Sequence, residues 1–441
     1  MRVRFWGTRG SIATPGPGTN HFGGNTSCVG VTTASGDLLV LDCGTGAHPL
    51  ATQLMARGGK PINANILLGH THWDHIQGFP FFSPAFVKGN SAAIYGPEGS
   101  STSLRDVLAG QMEFTYFPVE LSQLPAAITY HELTEGIHAI GGARVAAQFL
   151  NHPAMTLGYR IEADGVAVVY LVDHEPFSDA LWRAGAEQGR IESILHEGDR
   201  RHAKFMAGAD LVIHDAQYTP EEYPQKKTWG HSTYEYVVRI AAAAGVRRVA
   251  LTHHDPGHND HFVADIERKA RILALQCGKE LDVFCAYEGC ELDLEPHSTS
   301  KPFVTAAPFQ ASVAQRRFRI LVVDDHPDTL AMIVRALDGD YYTIAEATSG
   351  QEALRMIGEN LPDLLVLDYK MIGMDGLAVM KALRARPDTR QLPVLMLTAM
   401  TDEPSTRAAF EAGVTDYVTK PFSIPQLTAR VRACLARAQF L

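Results

Sequence analysis

No apolar run among the 441 residues approaches the ~18 needed to cross a bilayer. The opening stretch, Met1-Arg-Val-Arg-Phe-Trp-Gly, lacks the apolar core and cleavage site of a secretion signal, which predicts a cytoplasmic chain. Cysteine is scarce and shows no C-x-x-C spacing. Cys28, Cys43, Cys277, Cys285, Cys290 and Cys434 therefore signal neither a disulfide framework nor a thiolate zinc site, and read as reduced, buried thiols. Positive charge is short as well: the net charge of −10 disfavours indiscriminate binding to nucleic-acid phosphates. Hydrophobic residues at 46% and charged ones at 20% exclude a fibrous or wholly disordered chain. At roughly 150 residues per domain, the length allows two or three domains.

What is present is unevenly spread. Of the 19 histidines, 18 precede residue 300 and only His326 follows it, which points to a transition-metal site in the first part. Residues 294–317 are rich in Pro, Ser, Thr and Ala without periodicity and read as a linker. Beyond it, apolar strands at Ile320–Val323, Leu364–Leu367 and Val394–Leu397 alternate with helical stretches such as Thr329–Leu337, the pattern of a doubly wound parallel sheet. Before it, strands are expected at 2–6, 28–33, 38–42, 65–68, 158–162, 166–172, 211–214 and 248–252, with helices at 104–112 and 232–244. Residues 318–441 carry 13 Lys+Arg against 16 Asp+Glu, or −3, leaving −7 for residues 1–317.

The sharpest motif is His70-Thr71-His72-Trp73-Asp74-His75, directly after the apolar Ile66-Leu67-Leu68. Two histidines at i, i+2 in extended chain point the same way and can grip one ion. After a turn, an aspartate and a histidine can face a second. A purely structural role would bury several costly polar groups.

Over residues 1–293 the sequence resembles the metallo-β-lactamase-fold hydrolases, on this H-x-H-x-D-H signature and further motifs in the family's order. Leu150-Asn151-His152 with Thr156-Leu157-Gly158-Tyr159-Arg160-Ile161 is similar to the third metal motif of ribonuclease Z and related phosphodiesterases. Val169–Asp173 fits the strand bearing the bridging aspartate, and Leu251-Thr252-His253-His254-Asp255-Pro256 the last histidine. The resemblance implies an αββα sandwich in which His70, His72 and His152 hold one metal, Asp74, His75 and His253 the other, and Asp173 bridges. His254 is the rival to His253. All are N or O ligands, which suits two Zn²⁺ and admits Mn²⁺ or Fe. Asp74 is also expected to orient the nucleophile.

Val212–Ala216 and Gly230-His231-Ser232-Thr233 look like the acidic and histidine motifs of the ribonuclease Z-like branch. There Asp215 would orient His231, and His231 would assist at the scissile phosphate. A plainer reading makes Ser232 a helix cap. Aspartate at 215 in place of glutamate, Val172-Asp173-His174-Glu175 in place of Gly-Asp-Thr, and the lack of a basic glycine-rich arm weigh against tRNA. They favour a small phosphodiester such as a cyclic nucleotide. Gly23, Gly24 and Asn25 are expected to shape a loop at the site, and Phe114, Tyr116 and Phe117 a pocket wall or core cluster. A ribonuclease Z-like nuclease, a lactonase or thioester hydrolase, and a non-catalytic signalling adaptor remain the alternatives.

Residues 318–441 resemble a response-regulator receiver, a flavodoxin-like (βα)5 domain. Asp324-Asp325, Asp368, Leu397-Thr398-Ala399 and Val418-Thr419-Lys420-Pro421-Phe422 stand at successive strand ends. The resemblance implies that Asp368 accepts a phosphoryl group and that Asp325, Asp368 and the Lys370 carbonyl bind Mg²⁺, with Asp324 supporting the ion through water. Thr398 and Lys420 would contact the phosphoryl oxygens, Tyr417 would act as rotamer switch, and Lys420-Pro421 would be cis. Ile372 stands where a proline is common. A sensor histidine kinase or phosphotransfer protein is the implied partner, a homodimer stays open, and no DNA-binding output domain is expected. The whole reads as a dinuclear metal phosphodiesterase regulated by phosphorylation in a two-component system.

Overall fold

The computed structural model describes residues 1–58, 60–98, 102–182, 188–277, 280–296, 317–337, 342–398 and 413–422, with isolated positions from 424 to 435. The chain divides into two compact units near residue 308, inside the expected linker, most of which lies outside the described residues. Among the described residues no helix is long and apolar enough to cross a membrane.

In the first unit, strands β1 (Arg2–Gly7), β2 (Cys28–Thr32), β3 (Leu38–Leu41), β4 (Asn63–Leu67), β5 (Ser91–Pro97) and β6 (Ala127–Leu133) form one sheet. A second contains β7 (Gly136–Ile140), β8 (Ala143–Phe149), β9 (Leu157–Ala163), β10 (Val166–Leu171), β11 (Leu211–Asp215), β12 (Arg248–Thr252) and β13 (Asp282–Cys285). The chain then returns through β14 (Glu291–Asp293) to pair with β1, so each sheet has seven strands.

Helices α1 (Ala47–Ala56) and α3 (Leu104–Gly110) cover the outer face of the first sheet, packing Leu50, Leu54, Leu104 and Leu108 on Val40, Ile66 and Ile94. Between them in sequence lies the single turn α2 (Trp73–Ile76). Helices α4 (Glu197–Met206), α5 (Tyr234–Ala243) and α6 (Asp260–Gln276) cover the second sheet on Val169, Leu171, Val212, Val249 and Leu251. Alternate residues point the other way. Tyr159 of β9 donates to the Leu68 carbonyl (2.7 Å) and Tyr170 of β10 to Asp42 (2.6 Å), bonds that join the inner faces of the two sheets. The layers therefore run α/β/β/α. All six residues of β10 are buried, as a strand covered on both faces requires.

The second unit is a parallel sheet of β15 (Phe318–Val323), β16 (Tyr342–Ala347), β17 (Leu364–Asp368), β18 (Val394–Thr398) and β19 (Asp416–Thr419), in the order β16-β15-β17-β18-β19. Helices α7 (Pro327–Leu337), α8 (Gly350–Glu359) and α9 (Gly376–Arg384) connect them. The strand order reverses between β15 and β17, so a crevice opens at their carboxyl ends. Apolar clusters fill both faces, one from Leu321, Leu365 and Val394 with α8 and α9, the other from Ile320, Val366 and Leu395 with α7.

Candidate metal centre and phosphoacceptor site

The metal-type residues all lie at or just beyond strand ends, where apolar runs deliver polar side chains to one edge of the sandwich. Past β4 the chain brings His70 and His72, then α2 brings Asp74 and His75. His152 follows β8, Asp173 follows β10 and His253 follows β12. Three overlapping groups result, each with ligand atoms within 4.8 Å of one another: His70, His72, His152 and Asp173; Asp74, His75 and His253; and Asp173, His231 and His253. Asp173 stands between the first two. Its carboxylate lies 3.4 Å from His70 Nε2, 3.5 Å from His75 Nε2, 3.6 Å from His152 Nε2 and 3.2 Å from His253 Nε2. Asp74 Oδ2 lies 3.3 Å from His75 Nε2 and 3.1 Å from His253 Nε2. Of these residues only His72 is exposed, and it marks the open side.

This donor set fits metal ions. His70 Nε2, His75 Nε2 and Asp173 Oδ1 are buried without a hydrogen-bond partner, an arrangement that protein groups alone leave costly. Burial depresses the imidazoles of His70 and, to about 3, of His152, so both present the neutral form that ligates. Burial pushes the Asp173 carboxyl up, but the imidazoles of His253, His75 and His231 outweigh it and hold the group ionised.

His253 and His254 take opposite directions. His253, at φ 60°, turns into the centre, whereas His254 Nε2 lies 2.9 Å from the Ala286 carbonyl and belongs to the wall. A Cβ on Gly10 would fall 2.5 Å from His253 Nδ1, so the loop after β1 must be glycine where it passes that ring. Ser11 then donates its backbone N–H to Asp74 (2.8 Å).

His231 is buried on the same centre. Its Nδ1 is 3.9 Å from Asp173 and 3.5 Å from Asp215 Oδ2, and its ring stacks on His253 with centroids 5.0 Å apart. Asp215, at the end of β11, meets it as a close ion pair, not as a hydrogen bond. Its two oxygens instead accept from His174 N–H (3.0 Å) and Ser232 N–H (2.9 Å). The short aspartate thus spends its hydrogen bonds on the backbone around His231. Burial lowers the His231 pKa, but Asp173 and Asp215 raise it more, so it rises overall. The cap of α5 is Thr233, one residue beyond the expected Ser232, which donates its hydroxyl to the His174 carbonyl (2.5 Å).

Two further expectations need correcting. Gly23 and Gly24 are required by packing, since a Cβ on them would strike Glu288 and Pro15, and Asn25 orders the loop through two bonds to Glu288. Phe114 and Tyr116 are 78% and 74% exposed, so they build neither core nor an enclosed wall, whereas Phe117 packs against the core beneath the first sheet. Sequence also left Asp42 without a role. Just past β3, it accepts from Gly69 N–H (2.7 Å) and Tyr170 Oη (2.6 Å) and stands 2.7 Å from His75 Nδ1, fixing which His75 nitrogen faces the centre. A lone aspartate after a strand carries no spacing signal, so only contact could reveal it.

In the second unit, Asp324 directly follows β15 and Asp368 ends β17. Lys420 Nζ bridges them at 2.8 and 2.7 Å, leaving Asp325 beside His326, whose Nδ1 is 2.9 Å away. Asp324, Asp325 and His326 present ligand atoms within 4.8 Å of one another. His326, which the sequence reading passed over, is exposed. Burial and the neighbouring aspartates raise the Asp368 pKa against the pull of Lys420. Asp325 also accepts from Ile372 N–H (2.8 Å). Thr398 ends β18, buried, and its carbonyl accepts from Lys420 N–H (2.6 Å). Tyr417 is half-buried on β19, Lys370 is exposed in the turn after β17, and Lys420-Pro421 is cis. Ala399 lies outside the described residues.

Comparison with known proteins accords with both halves. The model of the beta-lactamase superfamily domain matches residues 38–254, and that of the response regulator receiver domain matches residues 320–432. The transcriptional regulatory protein PrrA of Mycobacterium tuberculosis is 44% identical over 119 residues, 27% of this chain and 50% of that protein. The chain spans about half the length of the curated relatives it matches. A response regulator from Chloroflexus aurantiacus is 45% identical over 28% of this chain and 100% of its own, with a TM-score of 0.26. A diphosphatase of the PhnP family is 19% identical over 67% of this chain and 98% of its own, with a TM-score of 0.46. Residues 320–432 thus match the response regulator receiver domain on a five-stranded doubly wound sheet, and residues 38–254 match the beta-lactamase superfamily domain within an α/β/β/α sandwich.

Proposed function

We propose that residues 1–293 form a dinuclear metal-dependent phosphodiesterase for small phosphodiesters such as cyclic nucleotides, joined through residues 294–317 to a regulatory receiver, residues 318–441. The observation that carries this reading is the convergence of seven His and Asp side chains around partnerless donor atoms, with His231 facing the same centre. In it, His70, His72 and His152 would hold one Zn²⁺ (or Mn²⁺ or Fe), Asp74, His75 and His253 the other, and Asp173 would be shared between them. When bound, such a pair supplies Lewis acidity to the phosphate oxygens and a nucleophile at neutral pH. The chain's own groups do the rest. Asp74, held by Ser11 N–H, orients the attacking group. His231, its pKa raised by Asp173 and Asp215, steadies the developing negative charge and gives its proton to the departing alkoxide.

In the receiver, Asp368 accepts the phosphoryl group from a sensor histidine kinase or phosphotransfer protein. Asp325, Asp368 and the Lys370 carbonyl would hold Mg²⁺, with Asp324 supporting it. Three carboxylates against one lysine leave a charge deficit that a hard dication fits.

Elemental analysis is expected to find about two transition-metal ions per chain in the first unit, and His72→Ala or Asp173→Ala to lose metal and activity together. Active protein with only trace metal overturns the proposal. A screen of metal-loaded protein across cyclic nucleotides, bis-p-nitrophenyl phosphate, RNA and lactones fixes the substrate, and a preference for lactones replaces the phosphodiester reading.

A further inference from the structure

The segment from Tyr223 to Gly230 leads into His231 and is held firmly for a surface loop. The buried carboxylate of Glu175, two residues past Asp173, accepts from Tyr223 Oη (2.9 Å) and Thr228 N–H (2.8 Å) at one oxygen and Gly230 N–H (3.0 Å) at the other. Thr228 sits at φ 72°, a strained conformation for a β-branched residue that persists only where its surroundings enforce it. A Cβ on Gly230 would fall 2.1 Å from His152 Nδ1, so the end of the loop is pressed against a metal-type histidine. Strain and a buried charge are both committed to placing this segment.

What the segment presents outward is an ammonium and an indole. Lys226 Nζ lies 4.3 Å from the ring centroid of Trp229 and 5.6 Å from that of Tyr218. Tyr218 in turn meets the His231 ring edge-on at 5.9 Å, so one aromatic ring separates the ammonium from that imidazole. Among the described residues Lys226 has no carboxylate partner, whereas the next residue, Lys227, pairs with Asp179 at 2.7 Å. Aromatic faces attract the cation without neutralising it. Trp229 leaves 56% of its surface to solvent, apolar area that a ligand would cover.

We infer that Lys226 and Trp229 determine specificity. Lys226 binds a second anionic group of the substrate, beyond the diester phosphate that is cleaved, and Trp229 packs against the ring or apolar portion that joins the two. The inference rests on the phosphodiester reading above and, within it, favours diesters that carry a further phosphate or carboxylate over simple cyclic nucleotides, which carry none.

The test is a matched pair: thymidine 5′-(p-nitrophenyl phosphate) with and without a 3′-phosphate, hydrolysed by metal-loaded full-length protein. Wild type is expected to prefer the phosphorylated member in kcat/KM. Lys226→Gln is expected to reduce that preference roughly 10- to 100-fold, the scale of a charged hydrogen bond, chiefly through KM. Lys226→Arg should retain it, and Trp229→Ala should raise KM for both members. No preference in wild type, or equal losses on both members in Lys226→Gln, overturns the inference. If neither ester is cleaved, the phosphodiester reading falls instead. Calorimetric binding of thymidine 3′,5′-bisphosphate against thymidine 5′-phosphate, in wild type and Lys226→Gln, then decides whether Lys226 reads the second charge.

Discussion

Single side chains here take their chemistry from their neighbours. His231 is buried, which lowers its pKa, yet Asp173 and Asp215 raise it more, so it rises overall. His231→Ala is expected to retain both metals and lower phosphodiester turnover by roughly 10²- to 10⁴-fold. Metal content measured beside the steady-state rate checks this, and lost metal would move His231 into the ligand set. Asp199 on α4 shows the opposite balance. Burial pushes it up to about 7, against hydrogen bonds from Tyr236 Oη (2.7 Å) and Phe177 N–H (3.1 Å). The folded chain binds this proton more tightly than the unfolded chain, whose carboxyl has the ordinary value of 3.8. The resulting stability is present in full below about pH 4 and is lost as pH rises through about 7. Asp199→Asn removes that titration, so its stability relative to wild type should improve between about pH 5 and pH 8. Urea melts at the two pH values test it, and a constant difference counts against it.

At the scale of elements, the strand ends explain how much of the centre could be read. Apolar runs such as Ile66–Leu68 and Val168–Val172 are buried on both faces, so they are legible as strands, and the polar residues that follow them are legible as a site. The helix α5 pattern was visible from 232 to 244 for the same reason: its buried residues Val237, Val238, Ile240 and Ala241 recur at helical spacing. Strands β5 to β8, β13 and β14 are not among the expected ones: polar residues interrupt β6 and β7, one face of β6 is exposed, and β13 and β14 are only four and three residues long. Helix α4 is polar over most of its length and buries a narrow stripe that includes Asp199 and His202. Asp42 and Glu175 escaped because their partners are distant in sequence and share no motif. Asp42 nonetheless ties β3, β10, α2 and the turn after β4 together, at φ 58°. Asp42→Ala strips His75 of its orienting partner and leaves buried Tyr170 Oη and Gly69 N–H without an acceptor. Metal affinity is expected to fall roughly 10- to 100-fold. Competition against a graded chelator series measures it, with Asp42→Asn as the variant that keeps the shape, and unaltered metal retention in Asp42→Ala would detach Asp42 from the centre.

For the whole molecule, the question is why one chain carries both sites. The receiver site is poised electrostatically: Lys420 divides its charge between Asp324 and Asp368, and its own backbone N–H is held by the Thr398 carbonyl. Phosphorylation of Asp368 would place a dianion where Lys420 now binds a carboxylate, drawing Lys420 and Thr398 to new oxygens and letting Tyr417 turn inward from its half-buried position on β19. That converts a local charge change into a new surface on the second unit. A connection of about twenty residues keeps the two units at high effective concentration, so even a weak contact that prefers one state of that surface acts on the first unit. A coupling of about 1–3 kcal/mol corresponds to a 5- to 150-fold change in rate. Treating the protein with Mg²⁺ and a small phosphodonor is therefore expected to change diester turnover, and Asp368→Ala to abolish the response while leaving the metals of the first unit in place. Equal rates in verified phosphorylated and unphosphorylated protein would reduce the receiver to a tether, and the two sites would then share a chain without sharing free energy.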